Sequence, residues 1–189
     1  MVPKLTVQDG TVLVRDYFTR INQDKLNADY LDLGSSGPIL INDPMGKRPH
    51  LLVVAGKGQG NYVLNRDDMG KYQPDNNSQI VQSFHGVSDC FGAPAYWNRH
   101  VYYVCEGDFF KDFKLESGLL SSEPVARSNV KFSGAGATPS VSANGQKDGI
   151  VWVVATPSFY AKDGPAVLHA LDASDISHEL YNSKQNSAP

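Results

Sequence analysis

Three short apolar runs constrain this chain more than any other feature. They are 51–55 (LLVVA), 101–105 (VYYVC) and 150–155 (IVWVVA), and they begin 50 and 49 residues apart. Each is apolar at consecutive positions rather than at alternate ones. Successive side chains of a strand point to opposite faces of its sheet, so strands of this kind need cover on both faces. A two-layer sandwich covers only one face of each sheet. A stack of successive sheets covers both.

The surroundings of the three runs repeat as well. Each is preceded by a shorter segment that opens on a small residue and a proline: Gly37-Pro38, Ala93-Pro94 and Thr138-Pro139. Each is followed by a turn and a third apolar segment, at 62–67, 112–116 and 167–172, ending on Asp67, Glu116 and Asp172. A fourth segment follows at 79–84, near 125–132 and, more weakly, at 179–182. Four strands per unit at an interval near fifty residues predict an all-β chain built as a β-propeller sector of four-stranded antiparallel blades. The N-terminal segments 4–7 and 11–18, joined by Asp9-Gly10, read as a hairpin supplying the last two strands of an earlier blade. The chain is then one partial propeller domain of about three and a half blades. Residues 1–33 form the end of a blade and a connection, and 34–87, 88–133 and 134–189 form blades. Helical periodicity is sparse, and its one candidate is the short segment 175–181. An open sector leaves bare faces at both ends, so the isolated chain is expected to self-associate.

Composition excludes several classes of function. With 17 basic against 20 acidic residues in 189, the net charge is −3, and the basic footprint of a nucleic-acid binder is missing. No apolar run approaches the roughly 20 residues of a membrane-spanning helix, so no membrane partner is expected. The N-terminus shows no apolar signal-peptide core, which leaves either a cytoplasmic chain or an export signal further upstream.

Candidate sites are few. The run Gly56-Lys57-Gly58-Gln59-Gly60 lacks the spacing of a phosphate loop and fits a hairpin connection. Asp67-Asp68 and Asp172 with Asp175 offer carboxylates to calcium but lack the spacing of a calcium loop, and capping of turns explains them better. His50, His85, His100, His169 and His178 show no zinc-site spacing, and His169 reads as a structural histidine in an apolar strand. Ser35 and Ser36, between Gly34 and Gly37, read as loop residues. Trp152, Tyr102 and Tyr103 read as core, whereas Phe109-Phe110, beside a turn at Gly107-Asp108, are candidates for a ring surface. Trp97 falls at the turn 97–100. Folding the chain back there brings Cys90 and Cys105 opposite one another, a candidate disulfide. Two buried thiols are the alternative. No catalytic, cofactor-binding or metal-binding residue is assigned.

The segments DLGSSGPILI (32–41), HLLVVAGKGQGNYVLNRDDMG (50–70), FGAPAYWNRHVYYV (91–104), GATPSVSANGQKDGIVWVV (136–154) and AVLHALDASDISHELYNS (166–183) resemble the bacterial repeat proteins with a pyrroloquinoline-quinone-like β-propeller. The last segment resembles half of the quinoprotein repeat motif, in which an A-x-D strand end leads to G-x-x-x-W. Leu180 stands near the place of that tryptophan, and the adjacent cysteine pair of quinone-dependent alcohol dehydrogenases is missing. The resemblance implies an extracellular or periplasmic protein and further blades as partners. It implies a non-catalytic module that binds an unidentified ligand or protein partner, or else part of a quinone-dependent dehydrogenase of alcohols or sugars. Pyrroloquinoline quinone and calcium enter by that resemblance alone. A carbohydrate-binding module is a third class.

Overall fold

The computed structural model describes residues 1–44, 46–58, 60–156 and 164–186. The chain is all-β, and the described residues form four sheets that follow one another in sequence, none of them closed. Sheet 1 is the N-terminal hairpin of β1 (Val2–Gln8) and β2 (Thr11–Thr19), which pairs Gln8 with Thr11. Asp9 and Gly10 form its turn with φ of 50° and 74°. Two left-handed residues give a turn whose twist matches that of the strands, which is why an Asp-Gly pair stands here. A short helix, α1 (Gln23–Ala28), leads into sheet 2.

Sheet 2 runs β3 (Ile39–Asn42), β4 (His50–Val54) and β5 (Tyr62–Asn65). The chain then leaves as β6 (Lys71–Tyr72), which pairs in parallel with β2, and returns as β7 (Ile80–Ser83) against β5. Sheet 3 orders β8 (Ala95–Trp97), β9 (His100–Tyr103) and β10 (Asp108–Glu116). The far edge of β10 carries both β11 (Leu119–Leu120) and β12 (Ala126–Phe132). Sheet 4 is the meander β13 (Ser140–Asn144), β14 (Lys147–Ala155), β15 (Val167–Asp172) and β16 (Asp175–Asn182).

Three apolar layers hold the sheets face to face. Val2 and Phe18 of sheet 1 meet Leu52, Val54 and Leu64 of sheet 2. Leu51, Val53 and Val63 project from the opposite face of sheet 2 onto Val101, Tyr103 and Phe113 of sheet 3. Tyr102, Val104 and Phe110 then leave the far face of sheet 3 for Val151, Val153 and Leu171 of sheet 4. Consecutive residues of β4 and of β9 therefore enter different layers, which is the physical reason these runs do not alternate. Among the described residues the two outermost faces carry no sheet. Val7 and Val12 are 69% and 63% exposed on the outer face of sheet 1, and Val154 is 44% exposed on that of sheet 4.

Some sequence expectations are corrected. Residues 175–181, the helix candidate, lie in β16, because pairing with β15 decides a segment whose Ile176 and Leu180 fit either period. Helix α1 has six residues, too few to display a period. The third strand of sheet 3 begins at Asp108 rather than at 112, since Gly107 (φ 58°) makes the turn. Trp152 is only partly buried, on the uncovered face of sheet 4, and Phe110 is fully buried core rather than ring surface.

Candidate functional site

The charged and nucleophilic side chains are best read by what each one already bonds. Asp43, at the end of β3, is 1% exposed. Its Oδ1 accepts a 3.0 Å hydrogen bond from Arg99 Nη1 in the β8–β9 turn, and Arg99 Nε also donates to the Leu115 carbonyl. The pair thus ties sheet 2 to sheet 3, while Asp43 Oδ2 has no hydrogen-bond partner among the described residues. Asp112 of β10 is equally buried, with its Oδ2 2.7 Å from His100 Nδ1. Burial pushes the Asp112 carboxyl above the ordinary carboxylate range, and the His100 hydrogen bond opposes that rise. On β15, buried His169 bonds Glu179. Burial works to raise Glu179, but hydrogen bonds from His169 and Asn182 outweigh it and leave the carboxyl below its usual value. His50 pairs with Asp67 at the surface.

The remaining acidic candidates serve turns. Asp172 Oδ1 accepts from the Ser174 amide and hydroxyl, and Asp175 Oδ1 does the same for Ser177. These bonds hold both carboxyls below the ordinary range. Asp68 caps the Gly70 amide. Among the described residues no group of three His, Cys, Asp or Glu side chains is placed to hold a metal ion.

The glycine-rich run joins β4 to β5, and Gln59 lies outside the described residues. Two amides of the run are taken up by the protein's own acceptors: Lys57 N–H donates to the Asp32 carbonyl and Gly58 N–H to Asp89 Oδ1. Lys57 Nζ bonds Asp32 at 2.7 Å. Ser35 Oγ donates to the Cys90 carbonyl, and Ser36 Oγ to that of Gly37. Both are loop bonds. Cys90 and Cys105 are joined as a disulfide, with Cα atoms 4.4 Å apart and both residues buried. It fastens the connection between sheets 2 and 3 to the end of β9. Asn98 and Arg99 make the β8–β9 turn, which pairs Trp97 with His100.

Trp97 has a role that its sequence position did not reveal. Its Nε1 donates to the Gly145 carbonyl of the β13–β14 turn, and its ring lies on Gly149 of sheet 4. A Cβ on Gly149 would stand 2.7 Å from that ring and 2.9 Å from the Cβ of Ala173. Tyr102 reinforces the seam through a 2.6 Å bond from its hydroxyl to the Ala173 carbonyl. Phe109 is covered by the Arg127 guanidinium, 4.9 Å from the ring centroid. Two receptive clefts stand apart from these seams. One, of about 460 Å³, runs between β1 and sheet 2 and is floored by Leu40, Leu52 and Met69. The other, of about 420 Å³, is bordered by Tyr62, Gln82, His85 and Arg20. Arg20 lies over the Tyr62 ring and makes no ion pair among the described residues. Nothing in the sequence marked it, since a lone arginine carries no spacing signal.

No protein-family model, no curated protein and no solved structure matches this chain.

Proposed function

We propose that the four stacked sheets are an arc of a β-propeller of the quinoprotein-repeat type, acting as a non-catalytic binding or scaffold module of an exported protein. The observation that carries the architectural part is the split of β4 and of β9 between two apolar layers, with Leu51 and Val53 on one side and Leu52 and Val54 on the other in β4. Repetition of one seam three times in chain order is how a propeller packs its blades. The lead-in segments support the same arrangement. A Cβ on Gly37 would meet that of Ala93 at 3.0 Å, and one on Gly92 would meet the Ala137 carbonyl oxygen at 2.4 Å. Small residues at equivalent positions of successive sheets therefore crowd together, as strands gathered toward a common axis do. The disulfide favours an oxidising compartment.

The non-catalytic part rests on how the acids and histidines are used. Asp43, Asp112, Asp172, Asp175, His100 and His169 are all engaged by the protein's own groups. The competing reading is a share in a quinone-dependent dehydrogenase. The discriminating experiment supplies the chain with pyrroloquinoline quinone and calcium, then follows reduction of an electron-accepting dye with alcohols and sugars. No quinone-dependent reduction is expected. Reduction that requires the added quinone would overturn the scaffold reading.

A further inference from the structure

Arg20 follows β2 and lies half-buried over the Tyr62 ring, its guanidinium carbon 5.2 Å from the centroid. Tyr62 is itself 2% exposed, so the layer between sheets 1 and 2 fixes this seat. No described carboxylate pairs with the guanidinium, and its buried Nε has no hydrogen-bond partner among the described residues. A partly buried charge in this state is costly until an opposite charge meets it. The cation borders the 420 Å³ cleft together with Gly58, Asn77, Ile80, Val81 and Ser83. That volume lies within the range of small-molecule pockets, about 300–1,000 Å³.

The other polar groups of the cleft divide by what they already bond. Gln82 uses both ends of its amide on the Leu120 backbone of sheet 3. Asn77 Oδ1 accepts from the Ile21 N–H, which leaves Nδ2 to donate. Ser83 and His85 are exposed at the rim. No described residue lining the cleft is acidic, and Asp89, the carboxylate bonded to one of them, is engaged by the Gly58 amide. One fixed cation among neutral donors, with no lining acid, is a site for an anion. A single fixed charge matches one carboxylate better than a doubly charged phosphate, and the planar guanidinium can engage a carboxylate through two parallel bonds. Ile80 and Val81 add an apolar flank for the body of the ligand. Because β7 and β3 form opposite edges of sheet 2, this cleft stands apart from the side on which the first strands gather.

We propose that the Arg20 cleft binds a small hydroxylated monocarboxylate of the sugar-acid class, with Arg20 on the carboxylate and with Asn77 and Ser83 on hydroxyls. This rests on the binding-module reading and names a ligand for it. A free sugar acid and a uronate at the end of a glycan share this chemistry. Stronger retention of a uronate oligosaccharide than of the monosaccharide assigns the glycan, and the reverse assigns the free acid; both support the site.

The test is equilibrium dialysis of the whole chain against labelled glucuronate. Saturable binding of one glucuronate per chain is expected. Arg20→Gln weakens it by about tenfold or more, whereas Arg15→Gln, at an exposed arginine of β2, leaves it unchanged. Ser83→Glu places a like charge at the exposed rim without disturbing the core, and weakens binding by about tenfold or more as well. Absence of saturable binding, full binding by Arg20→Gln or by Ser83→Glu, or equally strong competition from glucose or inorganic phosphate overturns the proposal. The dialysis contains neither quinone nor dye. It can therefore fail while the scaffold reading stands, and quinone-dependent dye reduction would overturn that reading without altering the dialysis result.

Discussion

Arg99 is the residue at which charge joins two sheets. Its partner Asp43 is buried, with one oxygen lacking a partner among the described residues. Arg99→Ala leaves that carboxylate inside with no cation, and removing one member of such a pair costs more than the pair contributes. Because Arg99 is itself 38% exposed, water relieves part of the cost, and a loss of about 2–3 kcal/mol is expected. Urea unfolding measures it, and Asp43→Asn in the same background should recover part of the loss. Asp112 gives a pH dependence of definite sign. Burial raises its folded-state pKa above the ordinary value of 3.8, so the folded chain holds this proton more tightly than the unfolded one. Stability from this group is present at low pH and is lost as pH rises through the raised value. Asp112→Asn removes that fall, so the variant should gain on the parent as pH rises from the ordinary carboxylate value to the raised one. A constant difference across that range would contradict the sign. Glu179 acts in the opposite sense, since its lowered pKa gives stability that is lost as pH falls.

At the scale of elements, the disulfide and the Trp97 wedge hold neighbouring pieces together by different means. The Cys90–Cys105 bond closes a loop with a sequence separation of 15. Replacing both cysteines by serine should cost about 3 kcal/mol on the chain-entropy model. Both residues are buried, so a thiol reductant should act slowly on the folded chain and quickly in urea. The Trp97 seam leaves no room for a methyl group. Gly149→Ala forces the indole or Ala173 to move, an overpacking cost of about 1–3 kcal/mol. The shift should be visible in tryptophan fluorescence. These elements also show what the sequence disclosed. Strands β4 and β9 were legible because burial on both faces leaves an apolar run without alternation, whereas β14 keeps such a run with only one face covered, and the Asp9-Gly10 turn was legible because its backbone demands such residues. Cys90 and Cys105 could be placed together from the position of one turn. By contrast, the Trp97–Gly149 and Arg99–Asp43 contacts join different sheets. Such contacts depend on how sheets lie on one another, and no local period encodes that. Helix α1 and β6 were illegible for a simpler reason, being too short to leave a pattern.

The whole molecule is a stack with two bare ends. On the outer face of sheet 1, Leu5 is paired with Val14 and Val7 with Val12, so four exposed aliphatic side chains form one patch. The outer face of sheet 4 presents Val154 and the partly buried Trp152. Each interior sheet face buries such residues against a neighbour. If an end face leaves on the order of 500 Å² of apolar surface in water, the unrealised burial is about 12 kcal/mol. Surfaces of that size drive association. The isolated chain should therefore self-associate in a concentration-dependent way in sedimentation. Val7→Lys with Val12→Lys places two charges in the middle of one patch while leaving the layer of Val2 and Phe18 untouched. That double variant should shift association to higher concentration by about tenfold or more, with little change in the unfolding midpoint. A parent chain that remains monomeric at high concentration would show that these faces are not adhesive. An unfolding midpoint lowered along with association would show instead that the charges had damaged sheet 1.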